Sequence, residues 1–221
     1  YKKWLTDQKD IVADLPDYLI EEANKNIIQV EKIIERLEEG INLITKSEQS
    51  LEYLAFQFAN KAMALQRAYS EVARKYRSEN LRSEPVLDGE WRLFQLVFLL
   101  MNIDGEYDQN HAVREIVDLI WFPIGGGKTE AYLGVAAYTM AYRRMKAPDQ
   151  VEQYAGVTVF MRYTLRLLTT QQFQRAATLI CAAEMLRKHN PTQLGLEPFS
   201  IGLWIGRDAS PNTLADGMDK L

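Results

Sequence analysis

Apolar residues in the first part of the chain recur with a spacing that a long amphipathic helix can satisfy and a strand cannot. Across residues 18–46 they fall at alternating intervals of three and four, with charged side chains between them. This is the heptad spacing of a coiled-coil seam. The segment is therefore predicted to be one long helix whose seam packs against another helix. The seam residues are Ile20, Ala23, Ile27, Val30, Ile34, Leu37, Ile41 and Ile44.

A second amphipathic pattern follows directly after the short polar sequence SEQS. Its apolar residues recur at helical intervals from Leu51 to Tyr76, on a single face. Two long helices joined by a short turn predict an antiparallel helical hairpin for residues 1–80. Such a hairpin is either an arm that docks a partner or contacts DNA, or an appendage that packs on the neighbouring domain. Residues 81–90 are polar and contain proline and glycine, so we expect a linker there.

The most informative stretch of the remaining sequence is LIWFPIGGGKTEAY, residues 119–132. The apolar run 117–124 has no charge after Asp118, which is typical of a parallel strand buried on both faces. Residues 128–145 have helical composition, with alanine, leucine and methionine and no proline. The order strand, glycine loop, helix is the context in which a G-K-T sequence predicts a phosphate-binding loop.

The loop residues themselves suit the phosphates of ATP. Consecutive glycines allow successive backbone amides to point at one anion, and the following helix adds the positive end of its dipole. Lys128 would reach the β- and γ-phosphates, and the Thr129 hydroxyl would bind Mg²⁺. We therefore predict ATP and Mg²⁺ as cofactors, with Lys128 and Thr129 taking part in catalysis. The predicted cofactor-binding residues of the loop are Gly125, Gly126, Gly127, Lys128, Thr129 and Glu130.

One residue departs from the strict G-x-x-x-x-G-K-[ST] sequence of such loops. Counting back from Gly127 places Phe122 at the first position, where glycine is expected. The bulky ring either shapes the loop or belongs to the end of the strand. The alternative to a phosphate site, a turn that ends in Lys-Thr by chance, agrees less well with the strand before the loop and the helix after it.

Two further segments have the composition of strands. Val157, Val159 and Met161 alternate along the chain ahead of a helix rich in leucine and glutamine, and residues 199–206 are mostly apolar. A second strand-to-helix turn predicts a βαβ unit, and hence an α/β fold with a parallel sheet. Hydroxyl and guanidinium groups at the start of a helix suit a nucleic-acid backbone. The predicted DNA-binding residues at this turn are Arg162, Thr164, Arg166 and Thr169.

Three segments resemble elements of superfamily 2 helicases. Residues 164–171, TLRLLTTQ, resemble motif Ia, the turn that grips the phosphates of the tracking strand in that family. Arg92 and Gln95 resemble the R-x-x-Q element in which the glutamine contacts the adenine edge; the alternative places Gln95 on the solvent-facing side of a helix. Residues 199–206 stand where the family has its third strand. Over about residues 91–210 the sequence is similar to the helicase subunit of the DISARM anti-phage defence system.

This resemblance implies that residues 91–221 are the first part of a RecA-like P-loop NTPase domain, helicase lobe 1. It implies ATP-driven action on DNA, single-stranded or with single-stranded ends, and a DUF1998-containing, DrmB-like partner subunit. No D-E-x-H box follows the loop in the sequence, so the intact protein is expected to be an ATP-dependent helicase and this piece alone inactive. Two other functions stay open. One is a P-loop switch or assembly factor that binds partners through the hairpin, and the other is a binding fragment with a vestigial loop.

Composition limits the surface charge and the cellular location that we expect for the protein. The chain has a formal net charge of −4, yet residues 143–207 hold nine basic against four acidic side chains. That excess is either a basic face for nucleic acid or an ordinary solvated surface. The single cysteine fits a reducing cytosol, and no apolar run reaches the roughly 18 residues needed to span a bilayer. We expect a cytoplasmic bacterial protein without a membrane partner, and, because the chain starts at Tyr1, a piece of a longer protein.

Overall fold

The computed structural model describes residues 1–108, 110–123, 125–163, 166–204 and 218, with the backbone alone for residues 166–170. This part of the chain folds into helices joined by irregular segments. A short 3-10 turn, Ala112–Glu115, lies between the fifth and sixth helices. The helices are α1 Lys2–Val12, α2 Asp17–Thr45, α3 Leu51–Glu79, α4 Leu93–Leu100, α5 Ile103–Tyr107, α6 Lys128–Met145, α7 Val151–Tyr154, α8 Arg166–His189 and α9 Pro191–Leu194.

The heptad segment is a single helix, α2, as its spacing predicted. Its near neighbour is α1, which runs antiparallel to it and is joined to it by the ion pairs Lys2–Glu38 and Lys9–Glu31. These pairs are exposed and therefore stabilise the contact little. Most seam residues are buried or half-buried, whereas Ile41 is exposed. Packing within this chain therefore covers the seam in part, with Ile34 its one buried residue.

The core forms mainly where α3 packs against α6 and α8. Small residues make this close packing possible, since α3 and α6 both present fully buried alanines to the core. The Ser50 hydroxyl accepts a hydrogen bond from the Tyr53 amide and starts α3, and Asn80, with φ +52°, ends it. The core therefore includes residues on both sides of the predicted linker 81–90, and the predicted domain boundaries stay a prediction. Its largest fully buried side chains are Leu99, Ile103, Leu133, Tyr138, Leu179 and Leu194.

Gly40 lies where α2 crosses the end of α4. A Cβ placed on Gly40 would lie 1.9 Å from the Leu100 carbonyl oxygen and 2.9 Å from its carbon. Both atoms belong to the backbone, which cannot move aside as a flexible side chain would. The glycine inside the heptad pattern therefore sets the distance between the two helices.

Replacing Gly40 with alanine is expected to destabilise the protein, although the same change usually favours a helix by about 1 kcal/mol. The added methyl group forces α2 and α4 apart, a form of overpacking that costs about 1–3 kcal/mol. The free energy of unfolding from urea titration measures the effect. Gly202→Ala is the matched control because a Cβ there would meet nothing within 4 Å. A higher unfolding free energy for Gly40→Ala would contradict the predicted clash.

The predicted RecA-like parallel sheet is wrong for the described part of the chain, which contains no strand and so does not have the expected α/β fold. The three segments predicted as strands are irregular here: residues 117–123, 157–161 and the described part of 199–206, which ends at residue 204. One aromatic side chain in each segment faces solvent rather than a sheet interior, whereas Phe199 is buried in the helical core. Trp121 is 90% exposed, Phe160 is 88% exposed and Trp204 is 96% exposed.

The physical reason lies in what each kind of element needs. A helix makes its backbone hydrogen bonds within one segment, whereas a strand makes them with a neighbouring strand that the local sequence does not specify. Short apolar runs alone do not separate the two cases. Here the described helices bury their own apolar faces against one another, and the three apolar segments contribute little beyond Phe199 and Met161 to that core. None of the described helices has the length and apolar character to cross a bilayer.

Candidate functional site

The glycine loop joins the irregular segment 116–123 to the amino terminus of α6. Gly125 and Gly127 have φ of +81° and +89°, in the left-handed region that residues with a Cβ rarely adopt. A Cβ on Gly125 would meet nothing within 4 Å, so the backbone is open on that side. α6 begins at Lys128, and the first amides of this helix have no carbonyl partner within it. Such an opening at a helix terminus can bind an anion.

The Lys128 side chain folds back onto the loop that precedes it. Its ammonium group donates to the Phe122 carbonyl oxygen at 2.5 Å and to the Pro123 carbonyl oxygen at 3.1 Å. A carbonyl oxygen carries only a partial negative charge, so a phosphate oxygen would compete well for this cation. Thr129, the predicted Mg²⁺ ligand, is half-buried in the first turn of α6.

Arg92 and Gln95 hold the loop from the other side. Arg92 Nη1 donates to the Gly126 carbonyl at 2.7 Å, and Gln95 Nε2 donates to the Gly127 carbonyl at 2.7 Å. Gln95 Oε1 accepts from the Arg92 amide at 2.9 Å. Gln95 is only 5% exposed, so its alternative placement on a solvent-facing helix side is wrong. Both ends of its amide are bonded within the chain, and the adenine contact stays a prediction.

Phe122 has a packing role that explains its departure from the usual loop sequence. Its ring stacks on Phe94 of α4, with ring centroids 4.1 Å apart and an interplanar angle of 17°. A Cβ on Gly126 would lie 2.2 Å from Phe122 Cδ1, so only glycine fits beneath the ring. The aromatic residue therefore fixes the start of the loop against α4. Phe94 was not predicted from the sequence, because stacking between separate segments has no local signal.

An ion pair connects the first turn of α6 to α8. Glu130 Oε1 lies 2.9 Å from Arg175 Nη2. The other carboxylate oxygen, Glu130 Oε2, is buried and has no hydrogen-bond partner. Glu130 was predicted as a cofactor-binding residue, and in this structure it holds α8 beside the loop. Arg175 was missed because the two residues are far apart in sequence.

The loop opens into a groove of about 1910 Å³ between α3, residues 83–92, α6 and α8. Small-ligand pockets usually hold about 300–1,000 Å³, so the groove exceeds what one nucleotide requires. Trp91 fixes one wall, since its indole Nε1 donates to Asn60 Oδ1 at 2.6 Å. Eight basic and five acidic side chains line it. The basic ones are Lys61, Arg67, Arg74, Lys75, Arg77, Arg92, Lys128 and Arg175, and the acidic ones are Glu71, Glu84, Asp88, Glu90 and Glu130.

Two described residues at the predicted DNA-binding turn border the same groove. Tyr163 lies within the turn and Gln171 follows it, both line the groove, and Arg162 is exposed. Thr164 lies outside the described residues. Arg166 and Thr169 belong to the first turn of α8, where the structure describes the backbone and not their side chains. Their contacts with DNA therefore stay predictions.

The basic excess in residues 143–207 does not form one continuous face in the described structure. Arg144 is buried, donates to the Leu194 and Pro198 carbonyls at 3.1 and 3.0 Å, and lies over the Phe199 ring at 3.9 Å. Burial lowers the pKa of this guanidinium from its usual value. Arg187 pairs with Glu184, whose carboxyl pKa is lowered mainly by that hydrogen bond. These arginines hold the segment after α9 in place and are not available to a ligand.

Comparison with known proteins gives one informative similarity. No family model matches the chain. Over 199 residues, 88% of the chain, it is 41% identical to the DISARM protein DrmA of Bacillus paralicheniformis. The chain is similar to a DISARM protein. The similarity to DrmA cannot be confined to residues 91–210, which are about half of the chain, so it also includes part of the preceding helices. The chain spans 18% of the length of DrmA.

Proposed function

We propose that this chain carries the phosphate-binding part of an ATP-dependent DNA helicase or translocase that acts in DISARM-type anti-phage defence. The observation that carries the proposal is the loop geometry, with Lys128 opening α6 behind two left-handed glycines. The similarity to DrmA supports the defence role, because the similarity extends over 88% of the chain. The proposal also includes helicase activity, ATP binding and DNA binding.

The residues of the loop fit an ATP·Mg²⁺ ligand. The γ- or β-phosphate would replace the two carbonyl oxygens that Lys128 now contacts, and it would enter from the open side of Gly125. The amides at the start of α6 would hold a second oxygen. Thr129 would hold Mg²⁺, which supplies the positive charge that neutralises the transferring phosphoryl group. Arg92 and Gln95 already donate hydrogen bonds to two loop carbonyls, and they would keep these carbonyls turned away from the phosphates.

DNA would pass along the groove that the loop shares with the Arg162–Thr169 turn. The volume of the groove exceeds what one nucleotide requires, and its walls carry eight basic against five acidic side chains. Arg162, Thr164, Arg166 and Thr169 are the proposed contacts to the strand, and a single-stranded DNA or a single-stranded end is the proposed substrate. A DUF1998-containing partner subunit belongs to the same proposal by resemblance to the DISARM system.

DNA-stimulated ATP hydrolysis by a full-length, DrmA-like protein that contains this chain tests the proposal. Single-stranded DNA is expected to raise turnover, and Arg166→Ala is expected to increase the half-saturating DNA concentration roughly tenfold. One lost charged contact to a phosphate is worth about 1.5 kcal/mol, which corresponds to that factor. Lys188→Ala is the matched control, since Lys188 is an exposed cation at the opposite end of α8.

The same assay separates the proposal from its alternative. A P-loop switch or assembly factor would hydrolyse ATP at a rate that single-stranded DNA does not change. Equal half-saturating DNA concentrations for Arg166→Ala and Lys188→Ala would also contradict the proposed strand contact.

A further inference from the structure

Three ligand-type side chains meet on the side of α2 that faces α5 and the 3-10 turn. Glu39 comes from α2, Asp104 from α5, and His111 from the residue just before the turn Ala112–Glu115. Glu39 Oε2 lies 3.8 Å from His111 Nε2, and Asp104 Oδ2 lies 3.9 Å from His111 Nδ1. One ligand atom of each side chain can be chosen so that all lie within 4.8 Å of one another.

Asp104 is the member that points to a ligand. Its side chain is only 3% exposed, yet Oδ2 has no hydrogen-bond partner. The other oxygen, Oδ1, accepts from the Gly105 amide at 2.7 Å. Leaving a buried carboxylate oxygen without a donor is costly. The unpartnered oxygen faces the imidazole of His111, which accepts from the Val113 amide through a long 3.4 Å contact and so offers an acceptor rather than a strong donor.

Two nearby cations are already bound elsewhere: Arg114 donates to the Gly105 carbonyl at 2.8 Å, and Arg36 binds Asp118. Arg36 lies one turn before Glu39 on α2, and its Nη groups donate to Asp118 and to the Met101 carbonyl. The pKa of Arg36 is raised, first by the hydrogen bond with Asp118 and then by nearby carboxylates that include Asp104. Arg36 therefore contributes positive potential to the cluster without supplying the hydrogen bond that Asp104 Oδ2 lacks.

We propose that Glu39, Asp104 and His111 bind a divalent transition-metal ion, with Zn²⁺ the best match. One imidazole nitrogen and two carboxylate oxygens are ordinary zinc ligands, with water completing a tetrahedron. Bond lengths of about 2.0–2.2 Å place tetrahedral ligand atoms roughly 3.4 Å apart. The ion takes one nitrogen of His111, and with one ligand atom per side chain the three atoms lie within 4.8 Å of one another. Each pair therefore needs to close by at most about 1.4 Å. The ion would tie α2 to α5 and to the turn that leads towards the glycine loop.

Zinc titration of the 221-residue protein tests this site. The protein is purified without a polyhistidine tag and with Cys181→Ser, because Cys181 is an exposed thiol and thiolates are zinc ligands. Isothermal titration is expected to give one Zn²⁺ per chain. His111→Ala and Glu39→Gln are each expected to weaken binding at least tenfold. His189→Ala is the matched control, because His189 is the other of the two histidines and is exposed at the end of α8.

Two further measurements, of melting temperature and of Co²⁺ absorption, test the proposal. Saturating Zn²⁺ is expected to raise the melting temperature by several degrees in the parent and in His189→Ala, and to leave that of His111→Ala unchanged. Co²⁺ is expected to give the visible absorption of a tetrahedral site in the parent and to lose it in Glu39→Gln. Zinc affinity in His111→Ala equal to that of the parent, or binding without saturation near one equivalent, would reject the site.

Discussion

Lys128→Ala is expected to reduce ATP turnover by a full-length, DrmA-like protein that contains this chain at least 100-fold. It is also expected to weaken ATP binding by the 221-residue chain about tenfold. The ammonium group is the cation that the loop already positions at the first residue of α6. Removing a preorganised charge from a developing phosphoryl transition state costs about 2.7 kcal/mol or more, which corresponds to that factor.

The same substitution should leave the fold intact. Lys128 is bonded only to two carbonyls of a solvent-facing loop among its described contacts, and water can replace it there. Lys146→Ala is the matched control, because Lys146 caps the opposite end of α6 and is exposed. Circular dichroism and urea unfolding check the fold, and nucleotide titration checks binding. ATP affinity and turnover in Lys128→Ala equal to those of Lys146→Ala would refute the phosphate site.

Arg36→Ala is expected to cause the largest loss of stability, about 3 kcal/mol in the free energy of unfolding. Arg36 is 9% exposed and makes two parallel hydrogen bonds to Asp118, at 2.7 and 2.8 Å. It also donates to the Met101 carbonyl at 3.0 Å. Removing one partner of a buried pair leaves the other charge and a carbonyl without compensation, which typically costs about 3–5 kcal/mol. Because Asp118 is partly exposed, we expect the lower end of that range.

An exposed pair of the same chemistry provides the control for Arg36. Arg74 also makes two hydrogen bonds to one carboxylate, that of Glu71, but on the open surface of α3. Arg74→Ala should shift the urea midpoint far less than Arg36→Ala, since water and salt replace an exposed pair easily. Equal shifts for the two variants would show that burial does not decide the strength of the Arg36–Asp118 pair.

A double-mutant cycle assigns the energy to the pair itself. Asp118→Ala and the double variant complete the cycle with Arg36→Ala. If the pair carries most of the effect, the double variant should be no less stable than the worse of the two single variants. A fully additive loss would instead assign the effect of Arg36 to its packing and to the Met101 carbonyl.

Three residues within about one and a half turns of α2, the heptad helix, contact elements near the candidate site. Arg36 binds Asp118 in the segment that enters the glycine loop, Glu39 approaches His111, and Gly40 meets the Leu100 carbonyl. All three contacts reach elements that precede the loop in the chain. The helix predicted as a possible interaction arm is therefore also a support for the segment that leads to Lys128.

The sequence by itself determined the parts of this protein that depend on local physics. The seam spacing predicted α2 because a helix forms its hydrogen bonds within one segment, and the glycines before Lys128 predicted a tight turn into α6. The R-x-x-Q resemblance predicted Arg92 and Gln95 as site residues, and the structure brings both to the loop.

Only the tertiary structure decided what depends on distant partners. The predicted sheet failed because strands need neighbours that no short apolar run specifies, and residues 117–123 are irregular and form no strand. The Phe94–Phe122 stack and the Arg36–Asp118 pair join residues that have no periodic relation in sequence. Such contacts arise when the buried faces of the helices bring remote segments within a few ångströms, and their strength depends on the burial that this packing creates.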